Sequence, residues 1–185
     1  MFYRSPDMTT KDRYPTTLIA LHWLIALLIV AAFALGTVMT DMRISPTKLQ
    51  YYSYHKWLGV TVLGLVAVRL LARLLSAAPA YPETMGIWQK NAANATHILL
   101  YVLMFAVPLS GYFYTSAAGY PVVYLGLFEL PTFIAPDPDL KHTLKELHEL
   151  LTNVMLGVVI LHVLAALKHQ FVDKDGILRR MMPTK

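Results

Sequence analysis

The chain has 185 residues, of which 56% are hydrophobic and only 15% charged, a balance that excludes a soluble globular domain and leaves room for one membrane domain. Its formal net charge of +5 would suggest a nucleic-acid ligand in a soluble protein, but in a membrane chain it marks the side on which the basic loops lie. The absence of cysteine excludes disulfides, iron–sulfur clusters, thiolate ligation and covalent haem attachment, so a metal here must be held by His, Met, Tyr or carboxylate.

The N-terminal arm, Met1 to Thr17, carries Arg4, Lys11 and Arg13. No small-residue cleavage site follows the next apolar run, which is too long for the core of a signal peptide, so the chain from Leu18 onward reads as a retained span. Four stretches are long and apolar enough to cross about 30 Å of hydrocarbon. They cover about 18–39, 55–75, 96–114 and 147–168, and they predict an all-α integral membrane protein, a four-transmembrane-helix bundle in a single membrane domain.

Between the first two spans, Tyr51, Tyr52, Tyr54 and Trp57 form an interfacial aromatic group. Between the second and third, a turn at Pro79–Glu83 precedes polar Gln89–Asn94, which reads as a short interfacial segment. The external loop, 115–146, holds Pro121, Pro131, Pro136 and Pro138, a density that breaks helix continuity and suggests a fixed cap. Lys and Arg sort these connections. Eleven fall in the N-terminal arm, the Arg69–Lys90 connection and the tail from Lys168, against five in the other two loops, which puts both termini in the cytoplasm.

Histidines are the polar residues that the spans do not need for folding, and an ionisable side chain at membrane depth is a functional candidate by default. His148 and His162 lie fourteen residues apart in the fourth span, almost four helical turns and about 21 Å, so they share a face at two depths. With both termini inside, His55 matches the external depth of His148, and His22 the cytoplasmic depth of His162. Two facing helices could then clamp one iron at each depth, giving two bis-histidine b haems stacked across the membrane. His97, at the start of the third span, is a shallower rival to His22. Arg69 follows His55 by fourteen residues, so it reaches the cytoplasmic depth on the same face, where it either pairs with a haem propionate or snorkels to the interface. Gly59 and Gly157 either admit a porphyrin or serve helix packing. His169, beyond the last apolar turn, joins His97 in a cytoplasmic rim suited to a quinone carbonyl. His142 lies in the external loop as a solvent-facing residue.

The external flank carries Arg43, Lys48, Lys56, Lys141 and Lys145, which could steer a small anionic donor. A chain with these features is expected to move electrons rather than bind oxygen. The alternatives are a cytochrome b anchor subunit that docks a dehydrogenase or a periplasmic redox protein through the external loop, and a histidine-lined metal carrier. The carrier is the poorer of these, because the spans hold almost no carboxylates.

Taken together, LHWLIALLI around His22, YHKWLGV around His55 with VRLLARL after it, HILLYVLMFAVPLSGY, LKELHELL around His148, LHVLAALKHQF from His162 and the terminal DKDGILRRMMP resemble the bacterial di-haem b-type cytochromes of the cytochrome b561 family. This group includes superoxide oxidase. The resemblance covers nearly the whole chain and implies a bacterial inner-membrane bundle with two b haems that exchanges electrons with ubiquinone. It gives His22 and His162 to the inner haem, and His55 and His148 to the outer. It also implies superoxide as a candidate donor, with Lys145 similar to a basic position near the outer haem. The YPVVYLGLFELPTF stretch is more similar to other branches of the family.

Overall fold

The computed structural model describes residues 13–183; Arg4, Lys11 and Lys185, which enter the charge sorting, lie outside that range. Four long helices follow one another: α1 (Thr16–Asp41), α2 (Pro46–Leu74), α3 (Ile87–Ala117) and α4 (Pro138–Lys168). All four are long and apolar enough to cross a membrane. Helix α1 packs along α2 and α3 along α4, and contact between α2 and α3 joins the two hairpins.

Three helices begin well before their apolar stretches, and local chemistry explains each start. Ser45 caps α2 by accepting from the Lys48 amide at 3.2 Å, with Pro46 in the first turn. Asp137 caps α4 by accepting from Asp139 and Leu140 amides at 2.9 and 3.0 Å, with Pro138 in the first turn and Asp139 adding negative charge at the helix N-terminus. In α3, Gln89 Oε1 accepts from the Gly86 amide at 3.0 Å. The polar run Gln89–Asn94 therefore belongs to the first turns of α3 rather than to a separate interfacial segment. The connection after α3 is correspondingly short, residues 118–137, instead of 115–146.

Burial is confined to the seams. Ile25, Val62 and Val66 make one cluster, flanked by Leu21, Leu65 and Met104, and Leu103, Val107 and Met155 make the other. Large apolar residues such as Leu27, Val30, Leu71, Ile98 and Leu161 instead face outward. An exposed apolar surface on all four helices is a liability in water and the expected lipid-facing belt in a bilayer.

The first and last described residues lie at one end of the bundle, the termini end, where the Tyr14 amide donates to the Arg180 carbonyl at 3.3 Å. The chain after α4 makes a π-type turn (His169–Asp173) and a short 3-10 turn (Leu178–Met181). It is strapped across that end: Trp23 Nε1 donates to the Met181 carbonyl at 2.7 Å, Arg180 to the Ala80 carbonyl at 2.5 Å, and Arg13 to the Met182 carbonyl. At the opposite, loop end, residues 118–137 contain a hairpin of β1 (Val123–Tyr124) and β2 (Phe128–Glu129), with Val123 opposite Glu129 and Tyr124 opposite Phe128.

Candidate functional site

The bundle interior holds histidines in two groups, one toward each end. Toward the loop end, His55 on α2 and His148 on α4 face each other with ring centroids 6.2 Å apart and planes at 88°. Toward the termini end, His22 on α1 and His162 on α4 have the same centroid separation, 6.2 Å, with planes at 66°. An imidazole nitrogen binds a first-row metal at about 2 Å, so two rings on opposite sides of one ion place their centroids roughly 6 Å apart. Both pairs have that spacing.

Hydrogen bonds fix the tautomer at the loop end. His55 Nδ1–H donates to the Ala32 carbonyl at 3.0 Å, and His148 Nδ1–H to the Val107 carbonyl at 3.0 Å. A carbonyl can only accept, so the proton is on Nδ1 in each ring and the Nε2 lone pair is left for a metal. Ser110 Oγ lies 3.0 Å from His148 Nδ1 and itself donates to the Val107 carbonyl at 2.8 Å.

Two glycines let these rings sit where they do. A Cβ on Gly111 would stand 3.0 Å from His148 Cε1, and one on Gly36 would stand 3.2 Å from His55 Cε1. Gly59 and Gly157, read from the sequence as admitting a porphyrin or serving helix packing, do not seat a histidine ring: a Cβ on Gly59 would meet only Pro108 at 3.9 Å, and one on Gly157 would meet nothing within 4 Å.

The termini end has three histidines. His97 lies 5.6 Å from His162 between ring centroids, but unlike the other two it is exposed, in keeping with a place at the rim of the group. Arg69 enters the same group: its Nη1 donates to the Tyr101 hydroxyl, its guanidinium stacks over the Tyr101 ring at 5.6 Å, and its Nη2 is 3.5 Å from His22 Nδ1. Its Nε is buried without a hydrogen-bond partner, the one such side-chain atom among the described residues. A buried, unpartnered guanidinium N–H is costly and fits an anionic group such as a carboxylate. Tyr101 was not among the residues expected here, since no spacing rule links it to Arg69.

His169 has a different setting from His97. Its Nδ1 is 2.6 Å from Asp175 Oδ2 and 3.2 Å from Asp173 Oδ2, in the turn after α4, and Lys168 pairs with Asp173 at 2.6 Å. At the loop end Lys145 pairs with Glu149 at 3.0 Å, and His142 lies 3.7 Å from Glu146, all on the solvated first turns of α4.

A four-helix membrane bundle with interior histidine pairs at both ends and a buried arginine beside one of them is the layout of a membrane-bound b-type cytochrome. The chain belongs to the prokaryotic cytochrome b561 family, whose model matches residues 13–184. It is 32% identical to cytochrome b561 homolog 2 of Escherichia coli K12, over 94% of this chain and 93% of that protein. It is 31% identical to the probable superoxide oxidase CybB of Yersinia pestis, over 94% of this chain and 97% of that protein. It is 29% identical to cytochrome b562 of Cereibacter sphaeroides, over 95% and 98%. The protein is thus a bacterial multi-pass membrane cytochrome that transfers electrons by b-type haem.

The Gly111 contact gives a direct check on the loop-end pair. Gly111→Val puts side-chain atoms against the His148 ring, an overpacking cost of roughly 1–3 kcal/mol. It is expected to lower the haem-to-protein absorbance ratio, whereas Gly157→Ala, with open space at its Cβ, leaves that ratio unchanged.

Proposed function

We propose that the chain carries electrons across the membrane through two bis-histidine b haems, held by His55 and His148 at the loop end and by His22 and His162 at the termini end. The observation that carries this reading is the repeat of one geometry, two interior histidine pairs at 6.2 Å, fourteen residues apart along α4. Bound there, each haem supplies a reversible one-electron carrier. The four histidines would hold the two haems as bis-histidine pairs, which would favour electron transfer over oxygen binding, and the Ala32 and Val107 carbonyls keep the loop-end rings in the ligating tautomer. The free Nε–H of Arg69 is the group suited to a propionate of the termini-end haem.

The distribution of Lys and Arg supports both termini being cytoplasmic, in a bacterial inner membrane. The donor then meets the loop end from the periplasm and ubiquinone meets the termini end. His97, exposed on α3 beside His162, and His169, held by Asp175, are the residues we assign to the quinone. The carboxylate accepts from Nδ1–H, fixes the orientation of the His169 ring and leaves the Nε2 lone pair to accept from a quinol hydroxyl.

Superoxide is the candidate donor, because a relative of similar length carries the name superoxide oxidase and the loop end bears Arg43, Lys48, Lys56, Lys141 and Lys145. Lys145 stands three residues before His148, although its pairing with Glu149 spends part of its field on a neighbour. Stopped-flow mixing of the oxidised protein with superoxide tests the assignment. Reduction is expected to approach electrostatically steered diffusion, on the order of 10⁸ M⁻¹s⁻¹, and to slow as ionic strength rises. Slow reduction that ignores salt would remove superoxide as the donor.

A further inference from the structure

The hairpin between α3 and α4 lies along the side of α2 that faces away from the core. Three contacts run in order down that helix. Lys56 Nζ donates to the Pro121 carbonyl at 3.4 Å, Trp57 Nε1 donates to the Val123 carbonyl at 2.7 Å, and the Tyr124 hydroxyl meets Thr61 Oγ1 at 2.8 Å. As the chain advances from 121 to 124 its contacts move from residue 56 to residue 61 of α2, about 7.5 Å toward the opposite end of the bundle. Residues 57–68 of α2 hold no charged side chain. The hairpin therefore descends beside a stretch that must itself sit at membrane depth, and its tip, residues 125–127, follows Tyr124.

The side-chain hydroxyls on this descent are satisfied internally. Thr61 Oγ1 donates to the Trp57 carbonyl at 2.8 Å, so it accepts the proton of Tyr124, and neither hydroxyl needs water. That pairing is what a low-dielectric setting requires. The tip itself is apolar and open: Val123, Leu125 and Phe128 face outward, and Leu127 is 77% exposed.

The turn geometry makes the same point independently. The Leu127 amide donates to the Tyr124 carbonyl at 3.0 Å, and both central residues have positive φ, 52° for Leu125 and 73° for Gly126. A β-turn with positive φ at both central residues favours Asn, Asp or Gly at the first of them. Leucine is strained there. The chain accepts a strained backbone in order to present a branched aliphatic side chain at the tip, which only an apolar surrounding makes favourable.

We infer that residues 122–130 form a re-entrant hairpin whose Leu125-Gly126-Leu127 tip is inserted among the acyl chains of the bilayer leaflet at the loop end, with Trp57 and Glu129 marking its upper edge at the interface. The hairpin thus stands where lipid would otherwise touch α2 and ties the loop to the membrane surface. Its occupant is lipid, because the depth ladder along α2 continues the apolar belt of the helices, and insertion of an apolar edge by about 5–10 Å is how interfacial elements hold to a bilayer.

The cysteine-free sequence makes the test clean, since one introduced thiol is the only labelling site. The full haem-loaded protein bearing Leu127→Cys, nitroxide-labelled and reconstituted in phosphatidylethanolamine–phosphatidylglycerol vesicles, is compared with Leu161→Cys on the lipid-facing belt and Lys141→Cys on the solvated turn of α4. The Leu127 label is expected to be several-fold more accessible to oxygen than to a water-soluble nickel chelate, as at Leu161. Accessibility to the chelate equal to that at Lys141 would overturn the inference. Protection from both probes would also overturn it, by showing that protein covers the tip. A second label at Phe128→Cys guards against local disturbance by the first, and Leu125→Asn, which suits the turn but not the lipid, is expected to move the Leu127 label toward the aqueous reading.

Discussion

Replacing His148 by alanine is expected to reduce the haem content of the purified protein from two per chain to one and to stop electron flow from the loop end. His148 supplies one axial nitrogen, and its loss leaves His55 alone facing an emptied space in an apolar interior. Even the hydrogen-bond partners of metal ligands are commonly worth 10–100-fold in affinity or activity, so loss of a ligand is expected to cost more than about 100-fold in donor-driven quinone reduction. The helix itself should persist, because Leu151 and Met155, one and two turns further along α4, pack against Leu103 and Val107 of α3. A pyridine-haemochrome assay against protein mass reads the stoichiometry, and added imidazole, able to occupy the vacated position, is expected to restore part of the spectrum. A variant that keeps two haems and full turnover would remove His148 from the ligand set.

The second large effect is expected at Arg69. Arg69→Ala removes a cation from the three-histidine group at the termini end and leaves Tyr101 without its donor. A nearby positive charge favours the reduced form of an iron centre, so its removal should lower the midpoint potential of the haem held there. The expected drop is at least about 60 mV, the one-electron equivalent of a tenfold change in equilibrium constant. Arg69→Lys keeps the charge but not the planar fork, and should fall between the two. Tyr101→Phe retains the stacked ring and should move the potential much less. Optical redox titration of the three variants checks the order. If the titration curve of Arg69→Ala coincides with that of the natural protein, the arginine only snorkels at the interface.

Much of this was legible in the sequence because helix geometry turns spacing into depth. His148, His162, His55 and His22 could be matched by counting residues, and Arg69 followed from the same fourteen-residue interval. What could not be read were relations that depend on which helices become neighbours. The Ala32 and Val107 carbonyls, the cradles at Gly36 and Gly111, and the Tyr101 hydroxyl lie on other helices from the groups they serve, and no local pattern announces them. Gly59 and Gly157 drew attention because they share helices with the histidines, yet the glycines that matter lie on the helices across from them. The helix starts at Ser45-Pro46 and Asp137-Pro138 carried their signals in the sequence. A reading by apolar length alone passed over them, because both helices extend beyond their apolar stretches. The hairpin escaped for a related reason: its turn uses Leu-Gly where Asn-Gly would have announced it.

His169 is a further case of a relation that residue spacing does not carry. Its place after the last apolar turn was plain from sequence, but its hold by Asp173 and Asp175 arises from a π-type turn followed by Lys174 in the left-handed region. That backbone could not be foreseen from hydropathy. It ties the imidazole to the turn after α4, while His97 lies on α3, so the two residues would meet a quinone from different elements.

The most direct measurement is the haem count of the natural protein, purified in mild detergent, by pyridine haemochrome against protein mass, together with low-temperature electron paramagnetic resonance of the oxidised form. Two low-spin b haems per chain is the expected result. One haem per chain, or a high-spin signal from an iron with an open axial position, would contradict the assignment of both histidine pairs.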